Sequence, residues 1–332
     1  MAKKVLVTGG AGYIGSHVAR QLGERGQELV VLDNLSTGFD HAVLYGELVQ
    51  GDVGDRALLD RIFSEHDIDT VMHFAARTIV PESVEDPLRY YENNTMQTRN
   101  LIQSCVDHGV DQLVFSSTAA VYGMPPDGIA SENTPTIPIN PYGTSKLMSE
   151  WMLRDVGATG KLRSVVLRYF NVAGCDPHGR IGQNTPKATL LIKVLSELAM
   201  GIRQEVKLFG TDYETRDGTC IRDYIHVEDL ADAHLRALDY LRRGGQSETM
   251  NCGYGRGFTV REVIAAVEQS LGKRLKITEV DRRPGDPPEL IAKADRVREL
   301  LGWEPQFDNL STIVESALAW EQKLAEQRKL AG

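Results

Sequence analysis

Cysteine is scarce in this 332-residue sequence, and long apolar runs are missing from it. The four cysteines are Cys105, Cys175, Cys220 and Cys252. They form no CxxC pair, so the ligand spacing of a zinc cluster is missing, and a disulfide framework is not expected in a chain of this length. No apolar run reaches the roughly 18 residues of a membrane-spanning helix, and the opening "MAKKVLVTGG" has too few apolar residues for a signal peptide. These absences predict a cytoplasmic protein with reduced thiols and no membrane partner.

Basic residues are outnumbered by acidic ones. The sequence has 37 lysines and arginines against 46 aspartates and glutamates, which gives a net charge of −9 with histidines neutral. Binding of nucleic acid is therefore not expected, and an anionic ligand would need arginines placed around it. With 42% hydrophobic and 25% charged residues, the composition is that of an ordinary globular protein with a large core.

Short apolar runs alternate with helical patterns through the first half of the chain. Strands are predicted at residues 4–9, 28–33, 48–52, 69–75, 112–117 and 163–171, and helices at 15–25, 56–66, 87–109 and 141–157. Apolar strands separated by helices are typical of a parallel sheet that is covered on both faces. We therefore predict an α/β fold with a doubly wound parallel sheet of the Rossmann type.

The pattern becomes looser after residue 172. Helices are predicted at residues 186–200, 227–242, 259–271 and 310–328, and strands near 205–209 and 275–280. The segment "DRRPGDPPEL" (281–290) is predicted to be a loop because its prolines interrupt a helix. We predict a first domain over residues 1–172 and a smaller C-terminal α/β lobe over 173–332 that binds the substrate, with later segments returning to the main sheet.

Three glycines, Gly9, Gly12 and Gly15, lie in "VTGGAGYIGSH" (7–17), where the first strand turns into the first helix. Glycine permits a tight turn, and without a Cβ atom it lets a phosphate approach the N–H groups of the helix start. Asp33 ends the second strand, where a carboxylate can bind an adenosine ribose and repel a 2′-phosphate. A turn without a ligand, capped by Asp33, would use the same residues. Their order favours a dinucleotide site, and NAD over NADP.

Further side chains follow other predicted strands, at the edge where open parallel sheets bind ligands. Asp52 follows one strand and could bind adenine. Phe74 ends another strand and could either line the cofactor pocket or pack in the core. Ser116 and Thr118 end the fifth strand, where a hydroxyl could hold a substrate hydroxyl or terminate the strand in a turn.

Tyr142 and Lys146 are four residues apart on a predicted helix and therefore share one face. A tyrosine with its ordinary pKa of about 10 is a poor base at neutral pH. A nearby ammonium group and a positively charged nicotinamide would both favour the phenolate, which could then remove a proton from a sugar hydroxyl. An exposed helix face could carry the same pair by chance, but its position after a dinucleotide motif favours a catalytic role.

Ordered motifs over nearly the whole chain resemble those of the extended short-chain dehydrogenase/reductase family, and within it the UDP-hexose 4-epimerases. They are "VTGGAGYIGSH", "DNLSTG" (33–38), "GDV" (51–53), "HFAARTIVPES" (73–83), "YYENN" (90–94), "FSSTAAVYG" (115–123), "PYGTSK" (141–146), "LRYFNVAG" (167–174), "FGTDYETRDGTCIRDYIHVEDLA" (209–231) and "RRPGDPP" (282–288). The resemblance implies an isomerase that uses bound NAD to epimerise carbon 4 of a UDP-hexose, UDP-glucose or UDP-galactose. It also implies a homodimer.

The resemblance implies roles for individual residues. Tyr142 would be the acid/base, Lys146 its electrostatic partner and Thr118 the hydroxyl that binds the substrate. The implied cofactor-binding residues are Gly9, Gly12, Tyr13, Ile14, Gly15, Asp33, Asn34, Asp52, Val53, Phe74, Asn93, Ser116, Tyr142, Lys146, Tyr169 and Phe170. The implied substrate-binding residues are Thr118, Asn171, Phe209, Arg222, Arg283 and Asp286. No metal ligand is expected.

Some positions depart from the family pattern. Leu190 stands where many members have a polar asparagine or histidine for the diphosphate, and Thr78 where some carry a lysine near the cofactor. Leu290 stands where the family adjusts the space around the sugar. Leucine is of intermediate size, which leaves open whether N-acetylated sugars are accepted as substrates. His226 resembles a ligand in "RDYIHVEDLA", but we predict a structural histidine before a helix.

Three alternatives remain at this point. Another UDP-sugar, an N-acetylhexosamine or the xylose/arabinose pair, could be the substrate. A nucleotide-sugar dehydratase or decarboxylase would share the fold, but dehydratases of this group carry an Asp–Glu pair where this chain has Ala119 and Ala120. A non-catalytic NAD-binding regulator would also share it, although Tyr142 and Lys146 are both present.

Overall fold

The computed structural model describes residues 3–283 and 285–331, with side chains as far as Lys329. Its strands are β1 (Lys4–Thr8), β2 (Leu29–Asp33), β3 (Glu47–Gln50), β4 (Ile68–His73), β5 (Gln112–Thr118), β6 (Ile129–Ala130), β7 (Arg163–Tyr169), β8 (Asn171–Ala173), β9 (Val206–Phe209), β10 (Ile221–His226), β11 (Glu248–Cys252), β12 (Gly257–Thr259), β13 (Ile277–Val280) and β14 (Glu289–Ala292). Its helices are α1 (Tyr13–Glu24), α2 (Arg56–Glu65), α3 (Val80–Glu85), α4 (Pro87–Tyr90), α5 (Gln97–Asp107), α6 (Pro141–Gly157), α7 (Leu191–Ala199), α8 (Val227–Arg242), α9 (Val260–Leu271), α10 (Asp295–Leu301) and α11 (Leu310–Ala331).

Seven parallel strands form the central sheet, in the order β11-β7-β5-β4-β1-β2-β3. The chain extends the sheet from β1 through β2 and β3, and then in the other direction through β4, β5 and β7, so the strand order reverses between β1 and β4. Thr8 is paired with His73 there, which places the carboxyl ends of the two strands side by side. An open α/β sheet binds its ligand at such a point. The predicted doubly wound parallel sheet is confirmed.

Helices cover both faces of this sheet. Val5 and Val7 of β1 belong to a core that includes α1 and α8, whereas Leu6 belongs to a second core with side chains of α2, α5 and α6. All five residues of β2 are buried. The strands are apolar along their whole length because each of their faces packs against helices.

A second sheet contains β12, β10, β14 and β6, with β8 paired to β10. Only the β10–β12 pairing is antiparallel within this group. Strands β9 and β13 form a separate parallel pair. Strand β11 pairs with β7 at the edge of the central sheet, although it lies in the second half of the chain. The second half therefore contributes both to the central sheet and to a smaller lobe.

Four predicted elements were wrong in their extent. The helix predicted over 87–109 is divided by a π-helical segment at Tyr91–Met96. The strand predicted over 163–171 ends at Tyr169, and β8 then pairs with β10 in the second sheet. The helix predicted over 186–200 begins only at Leu191, because Leu190 has an extended backbone. The loop predicted over 281–290 ends in β14, which begins at Glu289.

Helix α6 begins and ends at the predicted residues, 141 and 157. Pro141 occupies the first turn, where its missing N–H costs no hydrogen bond. The side chain of Asn140 accepts a hydrogen bond from the Gly143 N–H at 2.8 Å and caps the helix. The start of α6, and with it the position of Tyr142, is therefore set by local sequence.

Among residues 3–283 and 285–331, none of the helices combines the length and the apolar composition that a membrane crossing requires. The four cysteine thiols are free and buried.

Candidate active site

A cavity of about 1770 Å³ opens at the carboxyl edge of the central sheet and extends to the second sheet. Its walls include the turn after β1, the ends of β4 and β5, the start of α6, and residues of β8, β10 and β14. This volume exceeds that of a typical single-ligand pocket, about 300–1,000 Å³. The cavity can therefore hold two ligands at once, one at each end.

The glycine turn forms one end of this cavity. Gly9 has a φ of +71°, and a Cβ atom there would lie 2.5 Å from the backbone nitrogen of Ala75. A Cβ atom at Gly15 would lie 2.3 Å from the carbonyl oxygen of Gly9. Helix α1 begins directly after Gly12 without a side-chain cap, so N–H groups of its first turn remain available. The turn is a cradle that fits a pyrophosphate.

Acidic and amide side chains lie beside this cradle. Asp33 is buried, and its carboxylate accepts hydrogen bonds from the N–H groups of Ala11 at 3.0 Å and Leu35 at 2.8 Å. Burial raises the pKa of Asp33, and these two hydrogen bonds oppose that rise. Asp52 accepts hydrogen bonds from the Asn34 amide at 3.0 Å and from the Gly54 N–H at 2.8 Å. Asp33 thus caps the glycine turn and also lines the cavity. Its position is therefore compatible with both roles, turn capping and binding of a ribose.

Tyr142 lies where the end of β5 meets the start of α6. Its phenol is buried, and the Thr118 side chain lies close enough to affect its pKa. The Lys146 ammonium donates to the carbonyl oxygen of Ser116 at 2.9 Å and lies 4.9 Å from the ring centroid of Phe115. The Ser116 hydroxyl is hydrogen-bonded to the Tyr169 hydroxyl. The residues predicted to be catalytic are therefore adjacent.

Burial dominates the protonation of this group. It raises the pKa of Tyr142, and the Thr118 side chain opposes the rise. It lowers the pKa of Lys146 to about 7, and the carboxylate of Glu150 opposes that change. Lys146 by itself therefore does not lower the pKa of Tyr142 below its ordinary value. This differs from our expectation of a phenolate favoured by the lysine, and it leaves the larger share to the charge of a bound ligand.

Two arginines lie towards the other end of the cavity. Arg222 is on β10, and the Arg283 guanidinium lies 4.1 Å from the ring centroid of Phe209. In the described part of the chain, neither guanidinium forms an ion pair with a carboxylate, so both charges are available for an anion. Asn171 on β8 donates to the carbonyl oxygen of Asp223 at 3.2 Å, which fixes its amide beside β10, the strand of Arg222.

The structure brings nearly all the predicted site residues to one cavity. The residues that line it are Gly9, Gly12, Tyr13, Ile14, Gly15, Asp33, Asn34, Asp52, Val53, Phe74, Asn93, Ser116, Thr118, Tyr142, Tyr169, Phe170, Asn171, Phe209, Arg222, Arg283 and Asp286. Lys146 does not line it, because the side chain lies behind Ser116. Thr78, Leu190 and Leu290, which depart from the family pattern, also line it.

His226 lies outside the cavity lining. Its side chain accepts a hydrogen bond from the Glu228 N–H at the start of α8, and its other ring nitrogen lies 3.0 Å from the Ser316 hydroxyl. The ring also stacks on Phe307. It is a structural histidine before a helix, as predicted. In the described residues, no cluster of three or more His, Cys, Asp or Glu side chains has an arrangement that could hold a metal ion.

Other lining residues were not predicted. Arg77, Arg89, Lys187, Arg203 and Lys207 contribute five cations to the cavity wall. Lys187 has a φ of +55°, which is rare for a residue with a side chain. Arg77 lies in the motif "HFAARTIVPES", but no role was predicted for it there. The other four lie in none of the motifs that carry the resemblance, so the sequence contained no signal for them.

Comparisons with known proteins agree with this geometry. Residues 5–253 match the model of the NAD dependent epimerase/dehydratase family. The UDP-glucose 4-epimerase of Azospirillum brasilense is 58% identical over 330 residues, which cover 99% of this chain and 95% of that protein.

Two solved structures are also similar over nearly their whole length. The UDP-glucose 4-epimerase of Brucella ovis, in complex with NAD, has a TM-score of 0.93 and 42% identity, covering 96% of this chain and 98% of that one. The UDP-Glc/GlcNAc 4-epimerase of Campylobacter jejuni has a TM-score of 0.85 and 47% identity, covering 97% and 99%. The predicted family is confirmed: the chain belongs to the NAD dependent epimerase/dehydratase family.

Proposed function

We propose that this protein is an NAD-dependent epimerase that interconverts UDP-glucose and UDP-galactose at carbon 4 of the sugar. The observation that carries the proposal is the position of Tyr142 and Thr118. They lie in one cavity between a glycine turn that fits a pyrophosphate and two arginines that, among the described residues, have no carboxylate partner. The UDP-glucose 4-epimerase with 58% identity supports the same activity.

Tyr142 moves the proton in this proposal. Its phenolate oxygen removes the proton of the sugar's 4-hydroxyl and returns it at the end of the reaction. The Thr118 hydroxyl lines the cavity beside Tyr142 and can orient the same substrate hydroxyl. Bound NAD would supply the reversible oxidation at carbon 4, by accepting a hydride from that carbon and returning it.

The glycine turn and its neighbours would hold NAD. Gly9 and Gly15 leave room for its pyrophosphate, the uncapped start of α1 offers N–H groups, and Asp33 faces the position of a ribose. The chain thus keeps the cofactor at one end of the cavity through every turnover, and no added NAD is needed.

The second half of the chain would hold UDP. Arg222 and Arg283 bind the diphosphate, Asn171 and Asp286 add polar contacts, and Phe209 packs near the base. A grip limited to UDP leaves the sugar able to turn and present its other face to the cofactor. Under this proposal residues 1–172 mainly bind NAD and residues 173–332 mainly bind the UDP-sugar.

Two features bear on the alternatives. Ala119 and Ala120 line the cavity directly after Thr118, and alanine cannot transfer the proton that a dehydratase must move. Leu290 also lines the cavity and limits the space around the sugar. Because the Campylobacter jejuni relative is a UDP-Glc/GlcNAc 4-epimerase, N-acetylated sugars belong in the test of substrate range.

The test is a product assay with the purified protein and no added NAD. UDP-galactose, UDP-N-acetylgalactosamine and UDP-arabinose are supplied separately, and products are separated by chromatography. We expect UDP-glucose from UDP-galactose, and slower turnover of the N-acetylated sugar because of Leu290. Absence of UDP-glucose, or formation of a dehydrated product, would contradict the proposal.

We also propose that the protein is a homodimer in the cytoplasm. Leu88, Met96 and Trp151 are 76%, 57% and 46% exposed, and they lie on α4, the π-helical segment and α6, which pack together. An exposed apolar surface of this kind is typical of an interface between subunits. The free, buried thiols suit a reducing compartment.

Light scattering during size-exclusion chromatography tests the dimer. We expect twice the chain mass of 36.7 kDa for the native protein, and a monomer after the double substitution Leu88→Glu, Met96→Glu. Leu300→Glu, at an exposed leucine on α10, is the control and should remain a dimer. If the native protein is a monomer, the proposed homodimer is wrong and this apolar surface is not an interface between subunits.

A further inference from the structure

Three successive turns of α6 attach to three successive residues of β5. Tyr142 lies beside Thr118, which affects its pKa, and Lys146 donates to the carbonyl oxygen of Ser116. One turn further on, Glu150 accepts a hydrogen bond from the Ser117 hydroxyl at 2.5 Å. The proposed function uses the first of these contacts, the family resemblance gives Lys146 a role, and the third contact is unexplained.

Glu150 is also paired with Arg168 of β7. The guanidinium donates to both carboxylate oxygens, with contacts of 3.0 and 3.2 Å from its Nε and a third from Nη2. Both side chains are buried, at 6% and 7% exposure. Removing two charges from water costs free energy, so a buried ion pair of this kind is weak evidence for a role in stability and is consistent with another role.

The contacts continue from this pair to the second sheet. Arg168 donates to the Tyr122 hydroxyl at 3.0 Å, and that hydroxyl donates to the Asn251 amide oxygen at 2.6 Å. Asn251 in turn donates to the carbonyl oxygens of Ala130 at 2.8 Å and Lys293 at 3.2 Å. Ala130 ends β6, and Lys293 follows β14, the strand that carries Leu290. A continuous buried polar row therefore links α6 to the lobe that surrounds the sugar.

Titratable and charged side chains on the elements around Lys146 include His73 on β4, Glu82 on α3, Tyr90 on α4, Glu92 in the π-helical segment, Tyr122 after β5, and Arg168 and Tyr169 on β7. His73 is buried, with a pKa lowered to about 3 by burial and by Lys146, so it is neutral. Glu150 is the carboxylate that opposes the lowering of the Lys146 pKa.

We propose that Glu150 is a positioning residue for the reaction, which fixes α6 on β5 through Ser117 and Arg168 and supplies the negative charge one turn from Lys146. The inference rests on the proposed function for its kinetic consequence. Its structural content, the effect of Glu150 on Lys146, does not depend on turnover.

The test uses Glu150→Gln in the full-length protein. Without the carboxylate, the charged form of Lys146 loses its nearby counter-charge, so the Lys146 pKa should fall by about one unit. If the charged lysine is the electrostatic partner of Tyr142, the pH above which activity declines should move down with the Lys146 pKa, so the deficit of the variant should be larger at high pH than at low pH. We expect kcat with UDP-galactose to fall about tenfold at pH 8 and less at pH 6, with KM changed less than about twofold.

NMR titration of the Lys146 side chain, assigned with Lys146→Arg, measures the pKa in the native protein and in the variant. An unchanged Lys146 pKa would overturn the inference whether or not the protein turns over UDP-galactose. A shifted pKa in a protein without activity would support the inference while the proposed function fails. The two failures are therefore distinguishable.

Glu321→Gln is the matched control. Glu321 is fully buried and paired with Lys193 of α7, far from β5. Both variants should lose thermal stability, but only Glu150→Gln should move the Lys146 pKa and the pH profile. If Glu150→Gln fails to fold, Ser117→Ala removes only the hydroxyl between β5 and Glu150. We then expect kcat to fall about three- to tenfold with KM unchanged, since positioning is lost without loss of binding, and an unchanged kcat would overturn the inference.

Discussion

Replacement of Tyr142 by phenylalanine is expected to lower kcat for UDP-galactose about a thousand-fold, within the range for loss of a general acid/base. The substitution removes one oxygen from a buried ring whose environment is otherwise unchanged. KM should change less than about threefold, because Arg222 and Arg283 hold the nucleotide at the other end of the cavity. Steady-state kinetics on UDP-galactose, with the NAD content of each preparation measured, checks both numbers.

Tyr90→Phe is the control for this experiment. The ring of Tyr90 lies edge-on to that of Tyr142, with centroids 6.5 Å apart, but its hydroxyl contacts the carbonyl oxygen of Ile79 and the carboxylate of Glu82. Tyr90→Phe thus removes a buried phenol oxygen from the same neighbourhood without touching the cavity. We expect kcat within about threefold of native, as for a change outside the transition state. A Tyr142→Phe variant that keeps more than a tenth of the native kcat would assign the proton transfer to another group.

The central sheet and the glycine turn were predictable because their signals are local. Short apolar runs mark β1, β2, β4, β5 and β7, and the glycines follow β1 directly. Helix α6 was predicted to the residue because Pro141 suits its first turn, and the structure adds the Asn140 cap. Where one short segment contains all the information, pattern and structure agree.

The second sheet was not predictable in the same way. Strands β6 and β8 have two and three residues, too few for a hydrophobic period to be visible. They exist because β14 and β10 pair with them across more than 50 residues of sequence. Arg222 and Arg283 were predicted to bind substrate because their motifs resemble those of the family, and the spacing between them gave no such indication.

The contacts of Lys146 and Glu150 show the limit at the level of side chains. Their four-residue spacing places them on one helix face, which the sequence indicates. That Lys146 lies behind Ser116, and that Glu150 meets Ser117 and Arg168, depends on how α6 packs on β5 and β7. The direction of the Tyr142 pKa shift could not be predicted from the sequence for the same reason, since it depends on burial, which is a property of the packed molecule.

Replacement of Gly9 by alanine is expected to remove bound NAD. The added Cβ atom would lie 2.5 Å from the nitrogen and 2.8 Å from the Cα atom of Ala75, and 2.8 Å from the carbonyl carbon of Phe74. All three are backbone atoms at the end of β4, so no side chain can rotate to make room. The turn must instead move, and its N–H groups lose their positions around the pyrophosphate. We expect less than about a tenth of the native NAD content, a change of more than one factor of ten in affinity, measured after denaturation of the purified protein.

Gly26→Ala separates this clash from the cost of backbone conformation. Gly26 has a φ of +75°, close to the +71° of Gly9, but a Cβ atom there meets nothing within 4 Å. Both alanines pay about 1–2 kcal/mol for the left-handed conformation, so both variants should unfold at lower temperature than the native protein. Only Gly9→Ala should also lose NAD and, with it, turnover of UDP-galactose. If both variants retain the cofactor, the close approach of the glycine turn to the end of β4 does not determine NAD binding. If both variants lose it, general destabilisation explains the loss, and the clash at Gly9 does not.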